Sequence, residues 1–281
     1  MIHNWPTFIA ATHQSLAVVR NGAAQDIHTS GQRYYGVSWS DDRIFIAHSP
    51  PDTMKPQVRI LDKELKDIGA VPGSYPGVHQ ILFSSGKLYI TVTDYNRVDI
   101  WDGSVIVPVN WTEHITDINH INSFAFTGGA FWACHLNFVA QGKHETSELV
   151  CLRPDMSVSR KIPVGNDIHN VFVDGGSIYT LSSSDGDLLV IDKYTGVERR
   201  RVHIGAWVRG LAVTDRYILI GASPVAARPT RADGKSEVYL LGRDSLCILD
   251  VLCMNSPINE LRVIHEPDYA HNEYLFPTGD L

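Results

Sequence analysis

Hydrophobic residues occur in short runs along this chain, and five of these runs open with a polar residue. The five openings are Tyr35-Gly-Val-Ser-Trp, His79-Gln-Ile-Leu-Phe, Asn122-Ser-Phe-Ala-Phe, His169-Asn-Val-Phe-Val and Arg209-Gly-Leu-Ala-Val. Successive openings are 44, 43, 47 and 40 residues apart. A polar turn follows each opening, and a second apolar run comes after the turn. Repeats of roughly 40–50 residues built from short strands are typical of a β-propeller.

The repeat that begins at His169 has the clearest pattern. Apolar runs at 169–173, 178–181 and 188–191 are followed by a charged run at 197–202. Asp174-Gly175-Gly176 predicts a tight turn between the first two runs, because glycine adopts positive φ without strain. Three apolar strands and one polar outer strand predict a four-stranded blade.

The two ends of the chain together predict one further blade. Residues 8–11, 16–20 and 24–27 read as three strands without an inner strand, and 259–264 reads as an inner strand without a blade. Pairing them leaves no open edge. The prediction is an all-β, six-bladed β-propeller with four antiparallel strands per blade, forming one domain over 1–281. The tail, 265–281, is either disordered or folds across one face, where His271 or Glu273 would cap the site.

Composition narrows the classes of partner. The formal net charge of −7 argues against nucleic acid, which needs a cationic surface. No apolar run is long enough to predict a membrane span. The start of the chain does not resemble a signal peptide, and the four cysteines fit a reducing compartment. We therefore expect a cytoplasmic protein without a membrane partner; the oligomeric state is left open.

The polar openings are predicted to form a ring, because equivalent positions in successive blades converge on the propeller axis. In blade order the ring consists of Tyr35, His79, Asn122, His169, Arg209 and, through closure across the termini, Asn259. Buried hydrogen-bonding groups need partners. Either these six side chains satisfy one another and channel waters, or they bind a ligand.

Histidine offers two kinds of chemistry in this ring. His79 and His169 suit general acid–base catalysis or metal ligation, although a structural role is as well supported for each. His120 lies two residues before Asn122, on the same face if the strand is extended, and would supply a third nitrogen. We therefore predict His79, His120 and His169 as ligands of a divalent metal ion with an open position.

The remaining ring residues are candidates for substrate binding. Arg209 would clamp a carboxylate or phosphate of the ligand, or else pair internally with Glu260 or Asp167. Tyr35 would stabilise a developing oxyanion, which makes it a third catalytic candidate beside the two histidines. Asn122 and Asn259 would bind substrate or simply line the channel.

The blade rhythm and the inner-strand openings resemble the six-bladed propellers of the gluconolactonase and strictosidine synthase type, and the streptogramin lyases. The segments Val208-Arg-Gly-Leu-Ala-Val213 and Pro257-Ile-Asn-Glu260 also resemble an uncharacterised group of bacterial propellers. The first resemblance implies a divalent metal ringed by acidic and amide groups, whereas this ring has histidine and arginine. The streptogramin lyase resemblance implies histidines and a glutamate near the axis, for which Glu260 is the counterpart.

These observations predict an enzyme that acts on a small polar or anionic metabolite at the axial mouth. Histidine- or metal-assisted acid–base chemistry would make it a lyase, cyclase or hydrolase. No nucleotide cofactor is expected, since no phosphate-cradling glycine loop or dinucleotide fingerprint is present. The alternative is a non-catalytic propeller that binds a ligand or scaffolds a protein through the insertions Gln141–Ser147 and Ser223–Lys235.

Overall fold

The protein is an all-β, six-bladed propeller, as predicted. The computed structural model describes residues 4–29, 32–50, 55–127, 129–139, 143–144, 146–224, 234–271 and 275–277. Six sheets of four antiparallel strands each form the blades. Within the described residues the one helical element is a 3₁₀ turn at Thr93–Tyr95, and no helix is long and apolar enough to cross a membrane.

Blades 1 to 3 follow three N-terminal strands. The N-terminal strands are β1 (Phe8–Thr12), β2 (Leu16–Arg20) and β3 (Ala23–His28). Blade 1 consists of β4 (Gln32–Trp39), β5 (Ile44–Ser49), β6 (Gln57–Leu61) and β7 (Asp67–Ala70). Blade 2 consists of β8 (Ile81–Ser84), β9 (Lys87–Val92), β10 (Arg97–Trp101) and β11 (Ile106–Val109). Blade 3 contains β12 (Ile121–Thr127) and β13 (Ala130–His135), a small hairpin of β14 (Phe138–Val139) and β15 (Lys143–His144), and then β16 (Glu148–Leu152) and β17 (Val158–Pro163).

Blades 4 to 6 complete the ring. Blade 4 consists of β18 (Ile168–Asp174), β19 (Ser177–Ser182), β20 (Asp187–Asp192) and β21 (Glu198–His203). Blade 5 consists of β22 (Trp207–Val213), β23 (Tyr217–Ser223), β24 (Ser236–Gly242) and β25 (Ile248–Met254). Blade 6 pairs β26 (Ile258–Val263) with β1, and its strand order is β26-β1-β2-β3.

Burial within each blade explains the hydrophobic pattern. Every residue of β5, the second strand of blade 1, is buried, because the middle of each blade packs against the blades on both sides, and the strand is therefore mostly apolar. The outermost strand β21 is mostly exposed, and it carries the arginine cluster Arg199–Arg201 on the solvent side. Gly175 makes the predicted tight turn between β18 and β19 with φ of 53°.

The core consists of six hydrophobic clusters, one at each junction between successive blades, among the residues that the structure describes. Closure at blade 6 is part of this core. Phe8 of β1 pairs with Val263 of β26, and both pack with Ala212 and Leu219 of blade 5. The chain termini therefore hold the ring together through ordinary blade packing.

The described part of the tail crosses the face at which the inner strands end. Asp268 accepts hydrogen bonds from the backbone N–H groups of Val213 and Val263, the last residues of two inner strands. Further along, Phe276 packs edge to face on Trp39, the last residue of β4. The predicted ring of polar residues lies at the other end of these strands. His271 is buried near the axis, and Glu273 lies outside the described residues.

Candidate functional site

All six predicted ring residues line one cavity at the axis. The lining side chains are Tyr35, His79, Gln80, Asn122, Ser123, His169, Asn170, Arg209, Asn259 and Glu260. The cavity has a volume of about 20 Å³. Because a single water molecule needs about 10–15 Å³ measured in this way, the interior of the ring holds an ion or about one water. A metabolite would have to lie over the ring, at the mouth of the cavity.

Two consecutive residues of most inner strands face this cavity, and of the second residues sequence reasoning singled out Glu260 alone. Strict alternation predicts that only one of two neighbours faces the axis. The register of pairing shifts at the ring position in five of the six inner strands, for example between His169 and Val171. At Ser123, Asn170 and Glu260 the β-bulge turns the second residue inward as well. The signal was visible in the sequence: the second residues Gln80, Ser123, Asn170 and Glu260 are all polar.

The second residues tie blades 2, 3, 4 and 5 together in sequence. Gln80 Oε1 accepts the Phe124 N–H at 2.7 Å, and Ser123 Oγ accepts the Asn170 N–H at 2.8 Å. Asn170 Oδ1 accepts the Gly210 N–H at 2.9 Å. Gly210 has φ of +77°, and a Cβ there would lie 3.0 Å from the Leu261 nitrogen, so this position requires glycine. The second level of the axis is thus a belt of bonds between blades.

The two ring histidines are held in the same way. Nδ1 of His79 lies 2.6 Å from the carbonyl oxygen of Gly77 and 3.1 Å from Oγ1 of Thr93. Nδ1 of His169 lies 2.9 Å from the carbonyl oxygen of Asp167 and 2.8 Å from Oγ of Ser183. Because a carbonyl only accepts, Nδ1 carries the proton in both rings. In the neutral imidazole Nε2 is then the basic nitrogen.

The hydroxyl groups continue each link into the following blade. Thr93 Oγ1 donates to the carbonyl of Ile121 at 2.6 Å, and Ser183 Oγ donates to the carbonyl of Val208 at 2.6 Å. Hydrogen-bonded chains of this kind fix the tautomer and the orientation of an imidazole. Neither hydroxyl was singled out from the sequence, because each lies just after the second strand of its blade.

His169 is the more deeply buried of the two histidines. Its Nε2 has no hydrogen-bond partner among the described residues. Burial, followed by the charge of Arg209 and by His79, holds the pKa of His169 well below its ordinary value. His169 is therefore neutral at neutral pH, with an unprotonated nitrogen directed away from its tethered edge.

His120 reaches the site by a route that differs from the prediction. It has φ of +49° and precedes β12, so the assumption of an extended strand shared with Asn122 was wrong. Its ring nevertheless lies 4.9 Å from that of His79, edge to face, and its Nδ1 lies 2.8 Å from the Asp117 carboxylate. The left-handed conformation turns the side chain toward His79.

The three predicted metal ligands are suitable in type but do not form a metal centre in the described structure. The His79 ring lies 4.9 Å from His120 and 6.1 Å from His169, against about 5 Å for imidazoles on one tetrahedral zinc ion. Each has its Nδ1 bonded to a carbonyl or carboxylate, as ligating histidines do. Across the described residues, however, no three His, Cys, Asp or Glu side chains are grouped to hold an ion. The metal ion stays a prediction.

Asn122 and Asn259 bond to neighbouring blades. Asn122 Nδ2 donates to the carbonyl of Ile168 at 2.8 Å, and Asn259 Nδ2 donates to the carbonyl of Tyr34 at 2.8 Å. These carbonyls belong to the residues just before the next ring positions. The amide nitrogen of each asparagine is thus used in a bond to the next blade, which fits the channel-lining role left open for both residues.

Arg209 and Tyr35 complete the ring. The Arg209 guanidinium lies over the Trp207 ring, 5.7 Å from its centroid, in cation–π geometry. Glu260, one of its two proposed partners, forms an ion pair with Arg262 at 2.9 Å. Arg262 was not recognised in the sequence, because the prediction relied on positions that recur in every blade, and no other inner strand carries an arginine at the position of Arg262. The Tyr35 hydroxyl lies 3.4 Å from Ser49 Oγ.

Other features lie outside the ring. His135 is buried and accepts a hydrogen bond from Trp111 Nε1 at 3.1 Å, and burial lowers its pKa to about 3. Of the two insertions proposed as recognition loops, 141–142, 145 and 225–233 lie outside the described residues. A second cavity of about 140 Å³ lies at the opposite face, where Leu82, Phe172 and His271 are among its lining residues.

Comparisons with solved structures agree on the architecture. A protein of unknown function from Bacteroides caccae has a TM-score of 0.64 at 12% identity, over 93% of this chain and 100% of its own. A chain of the nidogen/laminin complex has a TM-score of 0.65 at 9% identity, over 92% of this chain and 98% of its own. The Neurospora crassa Pan2 WD40 domain has a TM-score of 0.58 at 13% identity, over 83% and 69% respectively.

These likenesses place the chain in the class of β-propellers and go no further, since identities this low support the fold alone. No family model and no curated protein matches the chain. The resemblance to gluconolactonase-type propellers therefore remains a resemblance.

Proposed function

We propose that the axial mouth binds a small carboxylated metabolite and carries out an acid–base step on it, as in a lyase, cyclase or hydrolase. The observation that carries the proposal is the matched tethering of His79 and His169, whose Nδ1 atoms are fixed by carbonyl and hydroxyl groups. Nε2 of His169 is buried at the axial cavity and has no hydrogen-bond partner among the described residues, so it can accept a hydrogen bond from a ligand or a water molecule there.

Arg209 supplies the binding part of the proposal. Its guanidinium is oriented by Trp207 and lies near enough to His169 to depress the pKa of that imidazole. A carboxylate bound to Arg209 at the mouth would bring the adjoining carbon or hydroxyl group close to the neutral imidazole. Tyr35, in the blade opposite His169, is available to hydrogen bond to a developing oxyanion.

A binding screen followed by a turnover assay tests this function. Small carboxylates from acetate to sugar acids are titrated calorimetrically into the wild type, Arg209→Ala and the control Arg43→Ala, whose arginine is exposed and paired with Asp42. We expect binding to the wild type and the control, and a loss of at least tenfold in affinity in Arg209→Ala. If none of the carboxylates binds to the wild type, the proposal is contradicted.

Compounds that bind are then followed by NMR for chemical change. We expect turnover by the wild type and by the control His203→Gln, an exposed histidine on β21, and a loss of at least a hundredfold in His169→Gln. Arg209-dependent binding without turnover of any bound compound would favour the alternative, a non-catalytic ligand-binding propeller.

The predicted metal needs its own measurement. A divalent ion held by His79, His120 and His169 would lower the pKa of a bound water. Protein purified without an affinity tag is analysed for metals beside a folded His79→Ala, His169→Ala variant. Near-stoichiometric metal in the wild type alone would support the ligand set, and a metal-free wild type with full turnover would exclude it.

A further inference from the structure

The second cavity, at the face opposite the ring, is much larger than the axial cavity. Its volume is about 140 Å³, against about 20 Å³ at the axis. The ends of β8, β12 and β18, in blades 2, 3 and 4, line it together with the tail residues Tyr269, Ala270 and His271. A cavity of about 150 Å³ accommodates a molecule the size of benzene. The second cavity is therefore large enough for one six-membered ring.

The His271 side chain separates the second cavity from the axial cavity. It donates Nε2–H to the carbonyl of Leu211, and its Nδ1 lies 3.4 Å from Nε2 of Gln80. Nε2 also lies 3.6 Å from Oε1 of Glu260. Gln80 and Glu260 line the axial cavity, His271 lines the second one, and no described residue lines both. Burial and the charge of Arg262 hold the pKa of His271 well below its ordinary value, so this wall is uncharged at neutral pH.

Three aromatic rings line the second cavity and are held in place by the fold. Phe126 and Tyr269 are 37% and 46% exposed, so they lie at its mouth, whereas Phe172 is buried. Phe126 packs on Phe131 with the ring centroids 4.8 Å apart. The Tyr269 N–H donates to the carbonyl of Val213 at 2.7 Å. A preformed aromatic wall binds a further ring by edge-to-face or offset stacking, with little cost for ordering side chains.

The charges around the second cavity favour an uncharged ligand. No aspartate, glutamate, lysine or arginine is among the described residues that line it. The Arg243 guanidinium lies 5.7 Å from the Phe172 centroid and 5.1 Å from the Tyr269 centroid, and it also bonds to the Thr214 carbonyl and the Asp174 carboxylate. A cationic ligand would meet two rings that already contact a cation. An anionic ligand would leave water without gaining a charged partner from the lining.

We propose that the second cavity binds a small uncharged molecule with a single aromatic ring and one hydrogen-bonding substituent. The ring packs against Phe126, Phe172 and Tyr269. The substituent bonds to a hydroxyl group of the lining, because Ser84 and Thr127 are both there and a hydroxyl both donates and accepts. Phenol and benzyl alcohol are the simplest molecules of this class. Binding at this face is independent of the acid–base step proposed at the axis, since the two cavities share no lining residue.

NMR of the wild-type protein tests the site directly. Phenol is titrated into protein with ¹³C-labelled leucine and valine methyl groups, and intermolecular nuclear Overhauser effects are recorded. We expect saturable binding with a Kd of about 1 mM or tighter. The phenol ring protons should show effects to the methyl groups of Leu82 and Val173, which line the cavity. If phenol does not bind saturably, or if its contacts lie only at other methyl groups, the proposal is wrong.

Two variants and a matched control test the contacts. Thr127→Trp places a ring in the cavity and should weaken phenol binding by about tenfold or more. Phe126→Ala removes part of the aromatic wall and should weaken it by about threefold or more. Tyr95→Ala, whose ring is as exposed as that of Tyr269 but lies in the 3₁₀ turn outside the cavity, should bind phenol like the wild type. A folded Thr127→Trp that binds phenol with unchanged affinity would overturn the proposal.

Charged relatives of the ligand test its chemical class. Benzylamine, as its cation, and benzoate should each bind about tenfold more weakly than benzyl alcohol, or not at all. Benzoate is measured in Arg209→Ala, so that the axial arginine does not contribute, and phenol should bind this variant as it binds the wild type. An affinity for either ion equal to that for benzyl alcohol, or a loss of phenol binding in Arg209→Ala, would refute an uncharged-ligand site separate from the axis.

Discussion

Two regions along the axis bury polar side chains: the ring of polar residues, and a cluster below it formed by the closing strand and the tail. The two regions provide hydrogen-bond and charge partners for these side chains in different ways. In the ring, each blade contributes one residue at the same repeat position, and the tethers run outward to the next blade. In the lower cluster, Glu260 and Arg262 of β26 contact Asp268 and His271 of the tail, and these four side chains interact with one another. The ring side chains therefore face the axial cavity, whereas in the lower cluster Glu260 lines the cavity and the other three side chains contact one another and the backbone.

The largest expected effect comes from breaking the lower cluster. Arg262→Leu leaves two buried carboxyl groups without their cation and removes the Nε bond to the Val37 carbonyl at 3.0 Å. We expect a loss of about 3–5 kcal/mol in the free energy of unfolding, measured with urea. The control Arg43→Leu, at the surface, should change it by less than about 0.5 kcal/mol. A loss below about 1 kcal/mol in Arg262→Leu would show that the ion pair does not stabilise the closure.

The two regions should respond to pH with opposite sign. The pKa of His169 is lowered from its ordinary 6.5, so its contribution to stability is complete above pH 6.5 and is lost as pH falls below it. Burial raises the pKa of Glu260 from 4.5 to about 7, so its contribution is complete below pH 4.5 and is lost as pH rises through 7.

Urea unfolding across this pH range checks both signs. His169→Gln should reduce the loss of stability on the acid side, and Glu260→Gln should reduce the loss between pH 4.5 and 7, each by up to about 1.4 kcal/mol per pH unit. Variants whose pH profiles run parallel to the wild type would refute these ionisation states.

A smaller effect separates structural from ligand-binding roles within the ring. Asn122→Ala and Asn259→Ala each leave a carbonyl of the next blade without its donor, so we expect about 1–2 kcal/mol of destabilisation. Carboxylate binding should be unchanged. If either variant loses binding while its stability is unchanged, the asparagine binds substrate, as the sequence suggested.

The smallest effect concerns the tethers of the two histidines. Thr93→Val and Ser183→Ala each remove one hydroxyl acceptor and should cost about 0.5–1.5 kcal/mol. Long-range ¹H–¹⁵N NMR of the imidazoles should show Nδ1 protonated in the wild type, and a mixture of tautomers for the affected histidine in each variant. Nε2 protonation in the wild type would contradict the tethered geometry.

The sequence could predict the positions of those site residues that occur at the same place in each blade repeat. Tyr35, His79, Asn122, His169 and Arg209 stand at one position of a recurring pattern, so their convergence followed from the fold, and Asn259 followed from closure. Glu260, Arg262 and Asp268 come together through one strand and a tail that no repeat describes. Strand alternation also concealed Asn170, because a β-bulge is not visible in a pattern of period two. His120 lies beside His79, but the reason given for it was wrong, since a left-handed residue interrupts the strand that the prediction assumed.

Closure through β26 also sets an order on biosynthesis. During translation β1, β2 and β3 are made before β26, so the edge of β1 that pairs with β26 has no native partner until Ile258–Val263 has left the ribosome. For most of synthesis, strand Phe8–Thr12, which is fully buried in the folded protein, therefore has an unpaired backbone edge. The step that ends this exposure is the one that brings Glu260 and Arg262 beneath the ring, so completing the fold and completing the site are one event.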